Sequence, residues 1–91
     1  MAKSTRIKAR NISFGDAVTL ARESGQKIAR KGWNGKGMWL MYAAGGTWKD
    51  TGNLVQGDLQ PFLVMYTADK KFVPWLASQT DMLAKDWCTV E

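Results

Sequence analysis

Three short stretches of this chain combine residue types that could bind a small charged ligand. The first, GWNGKGMW over residues 32–39, contains three glycines, a lysine and two tryptophans. Glycines let backbone N–H groups approach a ligand closely, and such a concavity favours anions. Asn34 and Gly35 form a strong turn dipeptide, and Lys36 could add a point charge on a phosphate. The simpler interpretation, which spacing alone favours, is a connection between two strands with both tryptophans in the core.

The second stretch, VPWLASQTD over residues 73–81, presents consecutive polar side chains at a predicted helix start. Free N–H groups at a helix N-terminus favour an anion. Hydroxyl, amide and carboxylate groups can also hydrogen-bond ribose hydroxyls and base edges. A capping box, in which Ser78 and Asp81 only close the helix, explains two of these residues without a ligand and leaves Gln79 and Thr80 free.

The third stretch is the predicted turn that contains Thr67, Ala68 and Asp69. A carboxylate at this position could accept hydrogen bonds from a ribose diol or an adenine amine. An aspartate in a turn needs no further explanation, so the turn alone remains the favoured interpretation.

An α+β fold must position these stretches: a small antiparallel sheet of four to five strands with one N-terminal helix and a short C-terminal helix. Apolar spacing predicts a helix over residues 14–24, capped by Ser13 and stopped by Gly25. A second helix is predicted over residues 81–87. The predicted strands are residues 27–31, 38–43, 62–67 and 72–73, where Pro74 ends the last strand or places it at an edge. Residues 88–90 could return as a final edge strand. Residues 44–61 form a long connection, either a hairpin excursion or a mobile loop.

The composition favours a binding protein over an enzyme. The chain has 91 residues, 45% of them apolar, which suits one small globular domain over residues 13–91 behind a basic arm, frayed or weakly extended, over residues 1–12. It contains no histidine and one cysteine, Cys88, so we expect no zinc site, and nucleophiles that depend on a histidine are excluded. We expect no catalytic residue, cofactor or metal. With no apolar run of about 18 residues and no signal-peptide pattern, we expect a cytoplasmic protein without membrane contact.

Charge and aromatic content together indicate a ligand that carries phosphate and a ring. Residues 1–36 have a net charge of +7 and residues 37–91 a net charge of −2. Five tryptophans exceed the needs of so small a core, so some should lie at an interface or stack on a ligand. One base–aromatic stack contributes about 1–3 kcal/mol, and nanomolar binding needs about 12. Because a small monomer offers little concavity, we expect an oligomer with pockets between subunits.

Two segments resemble the second Thoeris anti-defence family of small phage proteins: SFGDAVTLARESGQKIARKGWNGKGMWL at residues 13–40 and PFLVMYTADKKFVPWLASQTDMLAKDW at residues 61–87. The resemblance implies a protein that captures cyclic ADP-ribose isomers made by bacterial TIR-domain enzymes and does not degrade them. The Thoeris effector is then never activated. It also implies action in the cytoplasm of the infected host and a homotetramer with pockets at subunit interfaces. Some members bind cyclic di- or trinucleotides as well.

The resemblance places the ligand-binding residues in or beside the three stretches. They are Trp33, Asn34, Gly35, Lys36, Thr67, Ala68, Asp69, Phe72, Trp75, Ser78, Gln79, Thr80 and Asp81. The chain departs from the family pattern at Lys70, where a turn glycine is common, and in the insert over residues 44–60.

Two other functions use similar ingredients. A small basic protein that binds single-stranded nucleic acid would also combine cations with aromatic side chains. The basic residues cluster in the N-terminal arm instead of alternating with aromatics on strands, so this alternative ranks lower. A protein that docks directly on a defence enzyme is a third candidate.

Overall fold

The computed structural model describes residues 7–49, 52 and 55–91. In chain order the elements are β1 (Ile7–Ile12), α1 (Phe14–Ser24), β2 (Lys27–Arg30), a 3-10 helix (Lys31–Lys36), β3 (Trp39–Ala43), β4 (Gly46–Lys49), β5 (Gln56–Leu59), β6 (Phe62–Tyr66), β7 (Phe72–Pro74), α2 (Gln79–Leu83) and β8 (Trp87–Val90). No helix among these residues is long and apolar enough to cross a bilayer.

Six strands form one antiparallel sheet in the order β1-β8-β2-β3-β6-β7, and β4 pairs with β5 in a separate ribbon. The predicted α+β class is confirmed. The predicted count of four to five strands is wrong, since the described residues form eight. The additional strands come from the predicted basic arm and from the long connection, where neither segment shows clear apolar alternation.

The predicted arm contributes an edge strand over its described part. Residues 7–12 form β1, which pairs with β8 from Ile7 opposite Val90 to Ile12 opposite Trp87. The Thr89 hydroxyl accepts a hydrogen bond from the Ala9 N–H at 3.0 Å. Backbone pairing does not require an apolar pattern, and basic side chains are common on edge strands because they discourage further pairing. Residues 1–6 lie outside the described residues.

The first predicted helix is confirmed over residues 14–24. The Ser13 hydroxyl accepts a hydrogen bond from the Asp16 N–H at 3.0 Å, and Gly25 ends the helix with φ of +66°. This helix packs Ala17 and Ala21, both buried, against the sheet.

Two predictions near the C-terminus are wrong. The second helix ends at Leu83, before residue 87, and β8 lies between β1 and β2 instead of at an edge. The reason is Trp87, which is fully buried against α1 and pairs with Arg30 of β2. Its indole N–H donates to the Asp81 carbonyl at 2.8 Å. Burying this side chain is worth more than another helical turn.

The core has two parts because successive strand residues face opposite sides of the sheet. Ile28, Leu40 and Trp87 pack with α1 on one side. Ala29, Trp39, Cys88 and Val90 form a second cluster, whose described neighbours include no residue of α1 or α2.

The strand register places several connections at one end of the sheet. Trp39 at the start of β3 pairs with Tyr66 at the end of β6, so the β2–β3 and β6–β7 connections lie side by side. Arg30 at the end of β2 pairs with Trp87 at the start of β8, so the segment before β8 reaches the same end. We call this the loop end of the sheet.

The long connection is a hairpin, the first of the two predicted alternatives. Thr47, Lys49, Gln56 and Asp58 alternate along β4 and β5 with Gly46, Trp48, Gly57 and Leu59, which gives the ribbon one polar and one partly apolar face. All eight residues are exposed.

Gly45→Ala should destabilise this hairpin, whereas Gly57→Ala should not. Gly45 has φ of +85°, and an added Cβ would lie 2.2 Å from the Leu59 carbonyl oxygen. A Cβ on Gly57 meets nothing within 4 Å. Strain in this backbone region costs about 1–3 kcal/mol, so thermal unfolding should shift downward for the first variant only. Equal melting curves for the two variants would contradict this packing.

Candidate functional site

The GWNG stretch forms the 3-10 helix between β2 and β3. The Trp33 carbonyl accepts a hydrogen bond from the Met38 N–H at 3.3 Å, and Gly37 leaves the helix with φ of +71°. Asn34 lies within this helix, although its side chain is outside the described part, and Gly35 and Lys36 are exposed. The predicted strand connection is therefore confirmed, and its backbone and lysine face solvent at the loop end.

Four rings meet beside this helix, and we call Phe14, Trp33, Trp75 and Trp87 the aromatic cluster. Trp33 meets Trp75 and Trp87 edge to face, with ring centroids 6.0 and 5.4 Å apart. Phe14 lies 5.3 Å from Trp87. Trp87 is fully buried, whereas the other three rings are half-buried and keep exposed surface. The cluster thus joins two predicted site residues, Trp33 and Trp75, with two residues outside the predicted site.

The SQTD stretch caps the N-terminus of α2, so the predicted capping box is confirmed. The Ser78 hydroxyl accepts from the Asp81 N–H at 3.1 Å, and the Asp81 carboxylate accepts from the Ser78 N–H at 3.3 Å. Gln79 and Thr80 are exposed. Because α2 has only five residues, its dipole is small and gives little attraction for a phosphate.

Arg30 links this cap to the loop end, and sequence analysis missed it. Its guanidinium donates to Asp81 at 3.1 Å and to both oxygens of Asp86 at 2.9 and 3.3 Å. The side chain of Arg30 is 23% exposed and that of Asp81 is 18% exposed. One sequence signal could have indicated this bridge. Arg30 lies at the end of a strand, and two aspartates, Asp81 and Asp86, lie shortly before the start of a later strand.

This bridge shifts two pKa values. The hydrogen bond with Asp86 raises the pKa of Arg30 further above its ordinary value, against the effect of burial. Partial burial alone would raise the pKa of Asp81, but hydrogen bonds from Ser78 and Arg30 outweigh it and lower that pKa below its ordinary value. Both groups are therefore charged at neutral pH.

Stability that depends on ionised Asp81 should be lost in acid. Since the pKa of Asp81 is lowered in the folded chain, this contribution is fully present above the ordinary aspartate value of about 3.9. It disappears as the pH falls through the lower, folded-state pKa. Thermal melts between about pH 2 and pH 7 should show this loss, and the Asp81→Asn variant should lack that part of the pH dependence. An unchanged profile in the variant would contradict the assignment.

The TAD turn lies at the tip of the β6–β7 hairpin. Thr67 and Lys71 close the turn, with the Thr67 N–H donating to the Lys71 carbonyl at 2.8 Å. Lys70 has φ of +66°, which explains why a glycine would also suit that position. The Thr67 hydroxyl donates to the Asp69 carboxylate, and Ala68 and Asp69 are exposed. The predicted turn is confirmed, and Asp69 keeps solvent-facing oxygen atoms.

Phe72 belongs to a different group of rings from Trp75. Trp39 and Tyr66 stack with centroids 4.9 Å apart, and Phe72 lies 5.1 Å from Tyr66. Lys27 places its Nζ 4.6 Å from the centre of the Trp39 ring. Because β7 alternates, Phe72 faces the side of the second core cluster and Trp75 faces α1. The structure therefore divides the predicted site residues between the two sides of the sheet.

One small cavity in the described part of the chain lies beside β1. It has a volume of about 90 Å³ and is lined by Ile7, Arg10, Asn11, Lys31, Asp86 and Cys88. Pockets for nucleotide-sized ligands are typically about 300–1,000 Å³. None of the predicted site residues lines this cavity. Among the residues that the structure describes, no cluster of side chains has the makeup of a metal site.

Cys88 should be inert towards thiol reagents in the folded protein. It is 2% exposed and donates to the Ala29 carbonyl at 3.2 Å, and burial raises the pKa of the thiol. We expect an aromatic disulfide reagent at about pH 8 to react roughly 100-fold more slowly than with the chain in denaturant. Equal rates would show that β8 opens readily.

Comparison with known proteins places this chain beside anti-defence proteins. A family model described as "Tad2-like: Thoeris anti-defense 2-like domain" matches residues 12–90. A protein of Bacillus phage SP01 named "Thoeris anti-defense 2" is 34% identical over 82 residues, which cover 84% of this chain and 91% of the relative. The matched region includes α1, the sheet from β2 to β8 and all three predicted site stretches.

Proposed function

The chain belongs to the Thoeris anti-defense 2-like family, and we propose that it counters Thoeris defence by sequestering a cyclic ADP-ribose-type nucleotide without degrading it. One observation carries the proposal. Three stretches distant in sequence converge on the loop end, where the GWNG helix and the TAD turn flank each other and Arg30 bonds the SQTD cap.

The chemistry at the loop end fits such a ligand. The exposed parts of Trp33 and Trp75 offer apolar ring surface for stacking a base. Lys36 is exposed at the loop end and supplies a positive charge that can attract the pyrophosphate of the ligand. Gln79 and Thr80 are exposed polar groups suited to ribose and base edges. Asp69, exposed on the TAD turn, is suited to accept from a ribose diol.

A second copy of the chain would complete the pocket. The cavity beside β1 has a volume of only about 90 Å³, well below the volume that a nucleotide needs, and none of the predicted site residues lines it. Phe72 is 57% exposed and Met41 is 37% exposed on the side of the sheet without helices, which gives a second copy an apolar surface to bury. This arrangement fits a homo-oligomer with ligand pockets between subunits, and we propose the homotetramer that the family resemblance implies.

Capture without reaction fits the state of the local carboxylates. A general acid must hold a proton near neutral pH. Asp81 is ionised because hydrogen bonds lower its pKa, and Arg30 holds it in place. The proposed site therefore binds and positions its ligand but lacks a poised acid at Asp81.

Two measurements test this proposal: retention of the nucleotide by the protein, and activation of an effector that depends on that nucleotide. Preincubating a cyclic ADP-ribose isomer with the protein should prevent the effector from being activated, in proportion to protein concentration. The retained amount should change little between about 50 and 200 mM salt, because a closed pocket around two phosphates releases few counterions. A steep salt dependence together with binding to single-stranded DNA would identify a nucleic-acid-binding protein instead. Inhibition of the effector at saturating messenger would identify direct docking on the enzyme.

A further inference from the structure

The small cavity beside β1 is a feature that the proposed function does not use. The pairing of β1 with β8 loses its regular register between Ala9 and Ile12. Within this irregularity Asn11 adopts φ of +57°, a conformation that asparagine tolerates better than most residues. Bulges of this kind redirect side chains and open the edge of a sheet. The cavity of about 90 Å³ lies at this bulge.

The charge of the cavity is positive. Arg10 and Lys31 line it, and neither forms an ion pair with a carboxylate among the described residues. Asp86 also lines it, but Arg30 holds that carboxylate at two points, 2.9 and 3.3 Å. Arg30 shares its single positive charge between Asp81 and Asp86, so the charge of Asp86 is only partly offset. Among the described residues around the cavity, Arg10, Lys31 and Arg30 still outnumber these two aspartates by one positive charge.

The rest of the lining suits an anion as well. The Cys88 thiol is buried, donates to the Ala29 carbonyl and is neutral, because burial raises its pKa. The Asn11 side chain carries an amide N–H₂ group that can donate to an oxyanion. Arginine forms paired hydrogen bonds with phosphate oxygens, and lysine adds a point charge.

We propose that this cavity binds one dianionic phosphate group, either inorganic phosphate or the terminal phosphate of a nucleoside monophosphate. The volume of about 90 Å³ is far below the roughly 300–1,000 Å³ of pockets that enclose a whole small-molecule ligand, so the cavity suits one tetrahedral oxyanion and leaves a nucleobase outside. Arg10 and Lys31 attract a dianion more strongly than the single charge of a phosphodiester. Lys31 and Asp86 lie at the loop end, but none of the residues proposed for the cyclic nucleotide lines the cavity, so the two sites differ in their lining and in preferred charge.

Amide chemical shifts of the full-length, ¹⁵N-labelled chain test this site with three probes at constant ionic strength: inorganic phosphate, a nucleoside 5′-monophosphate and dimethyl phosphate. Both dianions should give saturable shifts at Arg10, Asn11 and Cys88, and the diester should not. The double variant Arg10→Gln/Lys31→Gln should weaken the apparent affinity by roughly fivefold or more. The matched variant Lys8→Gln/Lys85→Gln removes two exposed lysines outside the cavity and should change it by less than about twofold.

Two results support the site. Equal affinities for inorganic phosphate and the nucleoside monophosphate would show that the cavity recognises the phosphate group alone. Tighter binding of the nucleoside monophosphate would identify that compound class as the ligand. Shifts that do not saturate, a diester that binds equally well, or equal weakening in both double variants would overturn the proposal. If the cavity variant fails to fold, Lys31→Gln alone provides the same comparison against Lys85→Gln. No cyclic nucleotide is present in this experiment, so its failure leaves the sequestration proposal untouched.

Discussion

Replacing Trp33 with alanine should weaken retention of the cyclic nucleotide by roughly 5- to 150-fold, which corresponds to the loss of one base–aromatic stack of about 1–3 kcal/mol. Trp33 is the residue of the GWNG helix that reaches into the aromatic cluster while keeping exposed surface. The measurement is equilibrium binding of a labelled cyclic ADP-ribose isomer, with a thermal melt of each variant to establish that it is folded.

The controls for this variant separate binding from packing. Trp48→Ala removes a tryptophan that is 49% exposed on the β4–β5 ribbon, so it should change both retention and stability little. Gln79→Ala removes an exposed amide and should weaken binding by roughly 2- to 10-fold without a stability change, as one hydrogen bond contributes about 0.5–1.5 kcal/mol. Native retention by the folded Trp33→Ala/Gln79→Ala double variant would contradict the proposed site.

Replacing Arg30 with glutamine should have the largest effect on stability among the polar variants. It leaves Asp81 and Asp86 without their shared cation, and both carboxylates are partly shielded from solvent. Breaking a fully buried pair costs about 3–5 kcal/mol, and the 23% exposure of Arg30 reduces this to about 1–3 kcal/mol. For a domain of this size, that predicts a lower melting temperature by roughly 5–15 °C.

The same variant should also weaken nucleotide retention, because Arg30 holds the SQTD cap against the loop end. Arg22→Gln is the matched control, since Arg22 pairs with Glu23 and both side chains are more than half exposed. An Arg30→Gln protein that melts and binds like the Arg22→Gln protein would show that the bridge positions nothing.

Local patterns predicted the parts of the fold that local energetics decide. The helix over residues 14–24 follows from apolar spacing and from caps at Ser13 and Gly25, all within one segment. The α2 capping box and the turn before β7 are also local and were predicted correctly. The interior strands β3 and β6 could be predicted because their sequences are apolar and aromatic.

The parts that the sequence did not predict depend on contacts between distant residues. Trp87 ends the C-terminal helix early because its burial against α1 and its pairing with Arg30 outweigh local helix formation. β1 exists because β8 offers it a partner, although its own sequence is basic and irregular. Arg30 is separated in sequence from Asp81 by 51 positions and from Asp86 by 56 positions, so no local pattern could reveal this bridge.

The structure brings two predicted site residues together, Trp33 and Trp75, with ring centroids 6.0 Å apart, and it joins Asp81 of the SQTD cap to Arg30 at the end of β2. The sequence did not indicate that Phe72 lies with Trp39 and Tyr66 on the other side of the sheet. A shift of one position along a strand changes the side of the sheet on which a side chain lies, because odd and even positions face opposite sides. The ligand contacts of the individual side chains remain predictions.

Mass spectrometry of the ligand released from the protein tests the central claim most directly. The protein is loaded with a cyclic ADP-ribose isomer, freed of unbound ligand, held for hours at working temperature and then denatured by heat. Sequestration predicts that the intact cyclic compound is recovered in stoichiometric amount. Recovery of linear ADP-ribose, or of no nucleotide at all, would contradict it.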